Sequence, residues 1–307
     1  MSSYLPTLKQ LQYLVALEEH GHFGRAAEAC YVTQSTLSAG IKELETLLDV
    51  MLVERTRRVV RFTELGKQMV EKSHRILREA EELSDMARSA GQPLVGDIRM
   101  SVIPTIAPFL LPKLLPQLRK DRPELKLYLK EETSQAACDS LSHGYVDCVL
   151  LAQPFSCGDV ESEILFDDEI FVAFPKDDPR DPPNIVDPAL IDDSRLLLLE
   201  DGHCLKDHGL AACNRPELRA SARMLGTSLH TLVQMVDNGL GLTLLPKMAI
   251  DAGILMHTDI LARPIKSDRA VRNIALVWRK NSPRKDEFKL LAEIMRQSQS
   301  WVMEKAA

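Results

Sequence analysis

Leu8, Leu11, Leu14, Val15 and Leu17 recur at helical spacing, and a second short run of apolar and small residues, Phe23 to Cys30, follows. After Val32-Thr33 comes a third run, in which Ile41, Leu44 and Leu48 share one side and Gln34, Ser35, Ser38 and Lys42 the other. The pattern predicts helix, short turn, helix. The small pair Ala26-Ala27 lets two helices cross closely, and the Thr33 hydroxyl is placed to cap the second. From residue 63 to residue 90 the pattern becomes a narrow seam. Met69, Ser73, Ile76, Ala80, Leu83, Ala87 and Ala90 lie alternately four and three apart, with charge on the other faces. A stripe so long and narrow does not bury itself within a small domain. It predicts a dimerisation helix, ended by Gly91-Gln92-Pro93.

Beyond residue 97 the periodicity alternates between two and helical. Strands are expected at 98–103, 126–131, 148–152, 169–174, 195–199, 241–245 and 273–278, and helices at 112–120, 135–142, 205–213, 228–238 and 283–304. Such alternation predicts an α/β architecture with largely parallel sheets. Pro108, Pro112 and Pro116 predict a kinked or late-starting first helix, because an interior proline costs about 3 kcal/mol. The Asp-rich stretch 175–188 reads as an exposed connection.

Composition changes this picture little. A length of 307 residues fits two domains, and 45% hydrophobic with 27% charged residues is ordinary for a soluble globular protein. No apolar run approaches the ~18 residues of a membrane span, and the N-terminus lacks the layout of a signal peptide. The expectation is a cytoplasmic protein with reduced thiols and no membrane partner. A net charge of −6 argues against indiscriminate nucleic-acid binding. Residues 1–66 carry a net of −1, but Arg55, Arg57, Arg58 and Arg61 cluster just past the second helix of the pair, a local phosphate-binding charge.

The motifs Phe23-x-Arg25-Ala26-Ala27, Gln34-Ser35-x-Leu37-Ser38, Ile41-Lys42-x-Leu44-Glu45 and Leu52-Val53-Glu54-Arg55 resemble the helix-turn-helix of LysR-type transcriptional regulators. The resemblance implies an N-terminal all-α winged helix-turn-helix DNA-binding domain at 1–63 and a linker and dimerisation helix at 64–92. It implies an α/β, two-lobed, periplasmic-binding-protein-like regulatory domain at 93–307, with lobe I at about 93–166 and 273–307, lobe II at about 167–272, and a ligand cleft between them. Carried over by position, Gln34, Ser35, Thr36, Ser38 and Lys42 look like base or phosphate contacts, and Arg55, Arg57 and Arg58 like wing contacts to the DNA backbone. Three positions depart from the family's usual pattern: Asp49 stands for glycine, Val53 for phenylalanine and Cys30 for leucine. Asp49 must then accept the left-handed conformation that ends a helix.

The candidate chemistry lies in residues 196–213, LLLLEDGHCLKDHGLAAC. Cys204 sits beside His203 and close to Lys206 and His208, surroundings that favour thiolate over thiol. If 205–213 is helical, the Cα atoms of Cys204 and Cys213 are roughly 13 Å apart, whereas a disulfide tolerates at most about 7 Å. The pair closes only if the helix unwinds. Taken alone, two cysteines so spaced are more often inert core residues, and no compact CxxC pair is present for zinc. No metal or cofactor is expected. Cys148 on an apolar strand reads as structural, Cys138 as helix packing, and Cys157 near Gly158 as exposed and incidentally oxidisable.

The run Leu199-Glu200-Asp201-Gly202-His203-Cys204-Leu205-x-Asp207 with Cys213 is similar to the peroxide-sensing OxyR branch of the family. Ile103-Pro104-Thr105, Leu110-Leu111-Pro112, Asp147-Cys148 and Thr227-Ser228-Leu229 extend the match over the whole chain. The resemblance implies that Cys204 is the peroxide-reactive cysteine and Cys213 the resolving one. Thr105, Ser134, His203, Asp207, Arg272 and Thr227 would surround the peroxide, with Ser134 where a threonine is usual. It implies a non-enzymatic regulator of antioxidant genes that binds promoter DNA, dimerises through the linker helix and forms a homotetramer. RNA polymerase and a thiol reductant such as glutaredoxin or thioredoxin are the further partners expected. The alternative is a LysR-type regulator that responds to a small organic effector in the inter-lobe cleft. A thiol peroxidase or dithiol oxidoreductase would need neither the helix-turn-helix nor the seam.

Overall fold

A computed structural model of the chain describes residues 5–55, 60–88, 93–215 and 225–305. The chain divides into two compact units, one holding residues 1–91 with the turn 143–145, the other 92–142 and 146–307. Among the described residues no helix is long and apolar enough to cross a membrane.

The first unit consists of α1 (Leu8–His20), α2 (Phe23–Ala29), α3 (Gln34–Leu48), the antiparallel strands β1 (Val53–Arg55) and β2 (Val60–Phe62), and α4 (Glu64–Arg88). Its ends are capped by local chemistry. Thr7 and Gln10 form a reciprocal capping box at α1, and the Thr33 hydroxyl accepts from the Thr36 N–H at 3.2 Å to start α3. Asp49 ends α3 in the left-handed conformation at φ 51°, as its place in the motif requires. Ala26 and Ala27 are buried, yet the tightest helix contact is elsewhere. A Cβ on Gly40 of α3 would stand 2.6 Å from the Tyr13 ring of α1, so the crossing needs glycine there. The Glu45 carboxylate accepts from the Leu52 and Val53 N–H groups at 2.9 and 3.0 Å, fastening the two-stranded wing to α3. On α4 the seam divides. Ser73 is buried and Met69 half-buried in the unit's own core, whereas Ile76 and Leu83 are exposed at 40% and 70%.

In the second unit the order is β3 (Gly96–Val102), α5 (Ala107–Asp121), β4 (Leu125–Glu131), α6 (Ser134–His143), β5 (Cys148–Gln153) and β6 (Val160–Pro175). There follow β7 (Leu196–Leu199), α7 (Cys204–Ala212), β8 (Leu225–Gly226), α8 (Leu229–Asp237), β9 (Leu242–Pro246), α9 (Lys247–Asp251), β10 (Ile260–Pro264), β11 (Val271–Arg279) and α10 (Lys285–Lys305). The strands pair in the order β4-β3-β5-β11-β6-β9-β7-β8, with β10 also on β6. Parallel pairing holds at both ends of this path, but β11 and β6 are antiparallel to their neighbours, so the sheet is mixed rather than largely parallel. The sequence foretold β6 only from residue 169. In fact β6 is 16 residues long; its first part pairs with β11 and its last residues with β9 and β10.

Two apolar cores result. Ile98, Met100, Leu150, Leu276, Trp278 and Phe288 belong to the first, Val172, Leu197, Val233 and Leu244 to the second. The expected late start of the first helix is corrected: α5 begins at Ala107, with Pro108 in its first turn and Pro112 and Pro116 inside it. All three prolines, spaced by four, are exposed. The carbonyls that lose their helical donors therefore face water, which satisfies them, and Pro108 sits where no donor is needed. The 175–188 connection is mainly exposed, but it is anchored by buried Asp178, which accepts from the Arg195 guanidinium at 2.5 Å.

Replacing Thr33 by alanine should destabilise the first unit by about 1 kcal/mol through loss of the α3 cap. Urea unfolding of Thr33→Ala followed by a probe on α3 checks this.

Candidate functional site

In the first unit the residues singled out for DNA lie on the start of α3. Gln34, Ser35, Thr36 and Lys42 are exposed, and Ser38 is half-buried. The Thr33 hydroxyl lies 2.8 Å from the hydroxyls of both Ser35 and Thr36, so the cap also sets the direction of these short side chains. Arg55 closes β1; its side chain, and Arg57 and Arg58 entirely, lie outside the described residues.

In the second unit the chain leaves β7 through Glu200 and Asp201, and Gly202 turns the corner at φ +94°, a conformation other residues rarely adopt. His203 is the N-cap of α7 and Cys204 its first residue. Cys204 is 1% exposed and belongs to the first core, whereas Cys213, just past the end of α7, is wholly buried in the second. Both are free thiols. The nine-residue helix between them keeps the Cα atoms at roughly the 13 Å expected of a helical spacer.

Groups on α6, β5 and β11 act on Cys204. Its N–H donates to the hydroxyl of buried Ser134, the first residue of α6, at 3.2 Å. Arg272 on β11 is fully buried; its guanidinium donates to the Thr105 hydroxyl at 2.8 Å, to the Thr105 carbonyl at 3.1 Å and to the Asp168 carboxylate at 3.0 Å. Asp168, opposite Arg272 on β6, also accepts from the Met248 N–H at 2.8 Å. Burial raises the Cys204 pKa above the ordinary thiol value, and the Arg272 charge, the Ser134 hydroxyl and the Ala152 N–H oppose it, while Asp207 adds to the rise.

This corrects the expectation that neighbouring cations favour the thiolate. Burial lowers the pKa of His203 and of His208, so both rings are neutral. The Lys206 ammonium is taken up by Asp201 at 2.8 Å. The charge that favours the anion comes from Arg272, distant in sequence. The His208 Nε2–H donates to the Pro154 carbonyl at 2.9 Å, which leaves its Nδ1 unprotonated and buried without a hydrogen-bond partner. Cys213 is pushed up to about 12 by burial.

Thr105, Ser134, His203 and Arg272 are all buried and Asp207 is half-buried on α7; Ser134, Arg272 and Asp207 act on Cys204, and Thr105 is joined to Arg272. Thr227 is not among them; it lies exposed in the turn before α8. Sequence reading missed Asp168, Ala152 and Pro154. The first sits in the acidic triplet Asp167-Asp168-Glu169, which looks like a solvated strand edge. It also missed a bond: Cys138 and Cys157, expected to be a packing residue and an exposed thiol, are joined in a disulfide. Cys148, by contrast, is a free buried thiol pushed up to about 12.

The family model described as bacterial regulatory helix-turn-helix protein, lysR family, matches residues 8–67, and that of the LysR substrate binding domain matches residues 91–300. The chain belongs to the LysR family of transcriptional regulators. It is 42% identical over 296 residues to the HTH-type transcriptional regulator EstR of Acinetobacter baylyi, covering 95% of this chain and 97% of that protein. It is 37% identical over 298 residues to the hydrogen peroxide-inducible genes activator of Dickeya chrysanthemi, covering 97% of both. Among solved structures, a full-length OxyR variant from Pseudomonas aeruginosa superposes with a TM-score of 0.77 at 35% identity, covering 94% of each chain.

The LysR-type chain thus places a buried thiol at the start of a helix, under a fixed guanidinium. Arg272→Lys should raise the midpoint of the pH profile for Cys204 alkylation, because an ammonium cannot span Thr105 and Asp168 as the guanidinium fork does. Mass-resolved iodoacetamide labelling of the Cys204 peptide across pH gives the comparison.

Proposed function

We propose that this LysR-type regulator senses hydrogen peroxide through Cys204 and transmits the signal to promoter DNA. The observation that carries the reading is the convergence on one buried cysteine of the Arg272 charge, the Ser134 hydroxyl and the Ala152 N–H. The Cys204 sulfur attacks one peroxide oxygen, forming sulfenic acid as the other oxygen departs as water. Arg272 and the hydroxyls of Thr105 and Ser134 supply donors for the departing oxygen, and Arg272 also favours the attacking anion. Cys213 then condenses with the sulfenic acid, releasing a second water and closing a disulfide.

That closure requires α7 to unwind, since a bond holds two Cα atoms within about 7 Å. His203 and Asp207 flank the reacting thiol at the first turn of the helix, where their movement accompanies the rearrangement. Thr227, exposed in this thiol form, joins the site only if the neighbouring turn moves. In this reading residues 1–63 bind DNA, 64–92 pair two subunits, and 93–307 form the sensor, with lobes at about 93–166 plus 273–307 and at about 167–272. The exposure of Ile76 and Leu83 on α4 supports the pairing role. Gln34, Ser35, Thr36, Ser38 and Lys42 meet bases or phosphates, and Arg55, Arg57 and Arg58 the backbone. A tetramer acting with RNA polymerase, in the cytoplasm, and reset by a dithiol reductant of the glutaredoxin or thioredoxin class completes the scheme.

A second reading, an organic effector bound beside Thr105 and Ser134, draws on the similarity to EstR, whose name carries no peroxide. One experiment separates the two. Cys204→Ser should bind promoter DNA as before but show no induction by peroxide, and brief low-dose peroxide on the natural chain should yield a Cys204–Cys213 cross-link by mass mapping. Full induction of the Cys204→Ser protein would overturn the peroxide reading.

A further inference from the structure

The reaction at Cys204 leaves the other cysteine pair unused. Cys138 and Cys157 are bonded, with Cα atoms 5.1 Å apart and a sequence separation of 19. Cys138 is buried on α6; Cys157 is half-buried in the loop after β5, between exposed Ser156 and Gly158. Each end stands close in the chain to a group that touches α7. Cys138 lies one helical turn beyond Ser134, whose hydroxyl holds the Cys204 N–H. Cys157 follows Pro154, whose carbonyl holds His208, and Ala152, whose N–H favours the Cys204 anion. The bond therefore ties together, from outside the sensor helix, two walls of the Cys204 site. The chain it closes excludes residues 204–213, so remodelling of α7 leaves it intact.

We propose that Cys138–Cys157 is a second thiol–disulfide site, one that sets the reactivity of Cys204. The inference rests on the reading of Cys204 as the reacting thiol. With the bond closed, the Ser134 and Pro154 walls are held against the first two turns of α7, and Cys204 and His208 are presented in fixed positions. With the bond open, the 154–159 loop is joined to α6 only by non-covalent packing, and the donors around the sulfur lose their register. A half-exposed disulfide of this kind is open to exchange. A thiolate of a dithiol reductant attacks the Cys157 sulfur, Cys138 leaves and takes up a proton, and the reductant's second thiol then displaces Cys157. Two electrons and two protons pass to the protein, and the reductant becomes a disulfide. In the reverse direction the two thiols give two electrons and two protons to one peroxide molecule, which becomes two waters. Cys204 thus responds to peroxide through a site whose own state records the dithiol balance.

The test uses the full chain in three forms. In the first, Cys138–Cys157 is closed and Cys204 is a thiol, as verified by differential alkylation and mass mapping. In the second, excess dithiol has opened the bond and been removed. The third is the double variant Cys138→Ser, Cys157→Ser. Iodoacetamide labelling of Cys204 is timed in each. The closed form is expected to label about tenfold faster than either open form, and re-closing the opened natural chain with oxidised glutathione should restore the rate. Equal rates in the closed and reopened natural chain overturn the proposal, whatever the folding of the double variant. So does finding Cys138 and Cys157 as free thiols after treatment with oxidised glutathione. Because labelling needs no peroxide, a Cys204 that ignores peroxide would sink the functional reading above and still leave this comparison decisive.

Discussion

The guanidinium of Arg272 is the contact on which the second unit depends. It sits on β11 directly opposite Asp168 on β6, and these two strands run between the two apolar cores. Taking the pair out of water costs about as much as the attraction returns, so its worth is not measured in stability. It fixes a positive charge inside the protein. Asp168 is itself held by the Met248 N–H, and the guanidinium bonds Thr105 at both its hydroxyl and its carbonyl, so it is tied from two sides. A lysine would bring the same charge without the fork that connects two strands and a loop.

Around that charge, Cys204 is under opposed influences. Burial disfavours the anion, and the ordinary remedy, a protonated histidine nearby, is denied because burial has neutralised His203 and His208 as well. What remains is the Arg272 charge, the Ser134 hydroxyl and the Ala152 backbone N–H. These groups favour the sulfur as an anion; in the proposed reaction they would also hold the departing oxygen. A cysteine built this way is not a standing thiolate open to every oxidant.

Sequence periodicity located every helix but the short α9, and most strands, because each buries a face, and burial on one side is what a 3.6- or 2-residue period records. It failed where polar residues serve the interior. The first part of β6 is rich in Glu and Asp, and only pairing with β11 turns Asp168 into a buried partner. Lys206 was misread for the converse reason: its nearness to Cys204 in sequence says nothing of Asp201, which takes its charge. The Cys138–Cys157 bond was illegible because cysteine spacing does not determine connectivity, and Cys148 lies between the two on a strand that buries it. Local chemistry fared better. The Thr33 cap follows from side chain and position alone, and the left-handed Asp49 from the glycine the family usually has there.

The placing of Cys204 and Cys213 in different cores gives the proposed switch its coupling. If both thiols lay in one core, a disulfide could form with little rearrangement, and its formation would be invisible at a distance. Here each thiol must leave its own packing, at a cost on the order of 1 kcal/mol of lost burial apiece, and α7 must give up its hydrogen bonds. The oxidation supplies far more free energy than that, so the reaction is not prevented; it is obliged to carry the conformational change with it. The same separation explains why the thiol form holds without any covalent tie across α7. Cys213 in the second core and Cys204 in the first are each retained by packing, and the helix between them is the stable way to span that distance. A disulfide that spares the helix, as Cys138–Cys157 does, would then stiffen one side of the proposed two-state element without deciding which state it adopts.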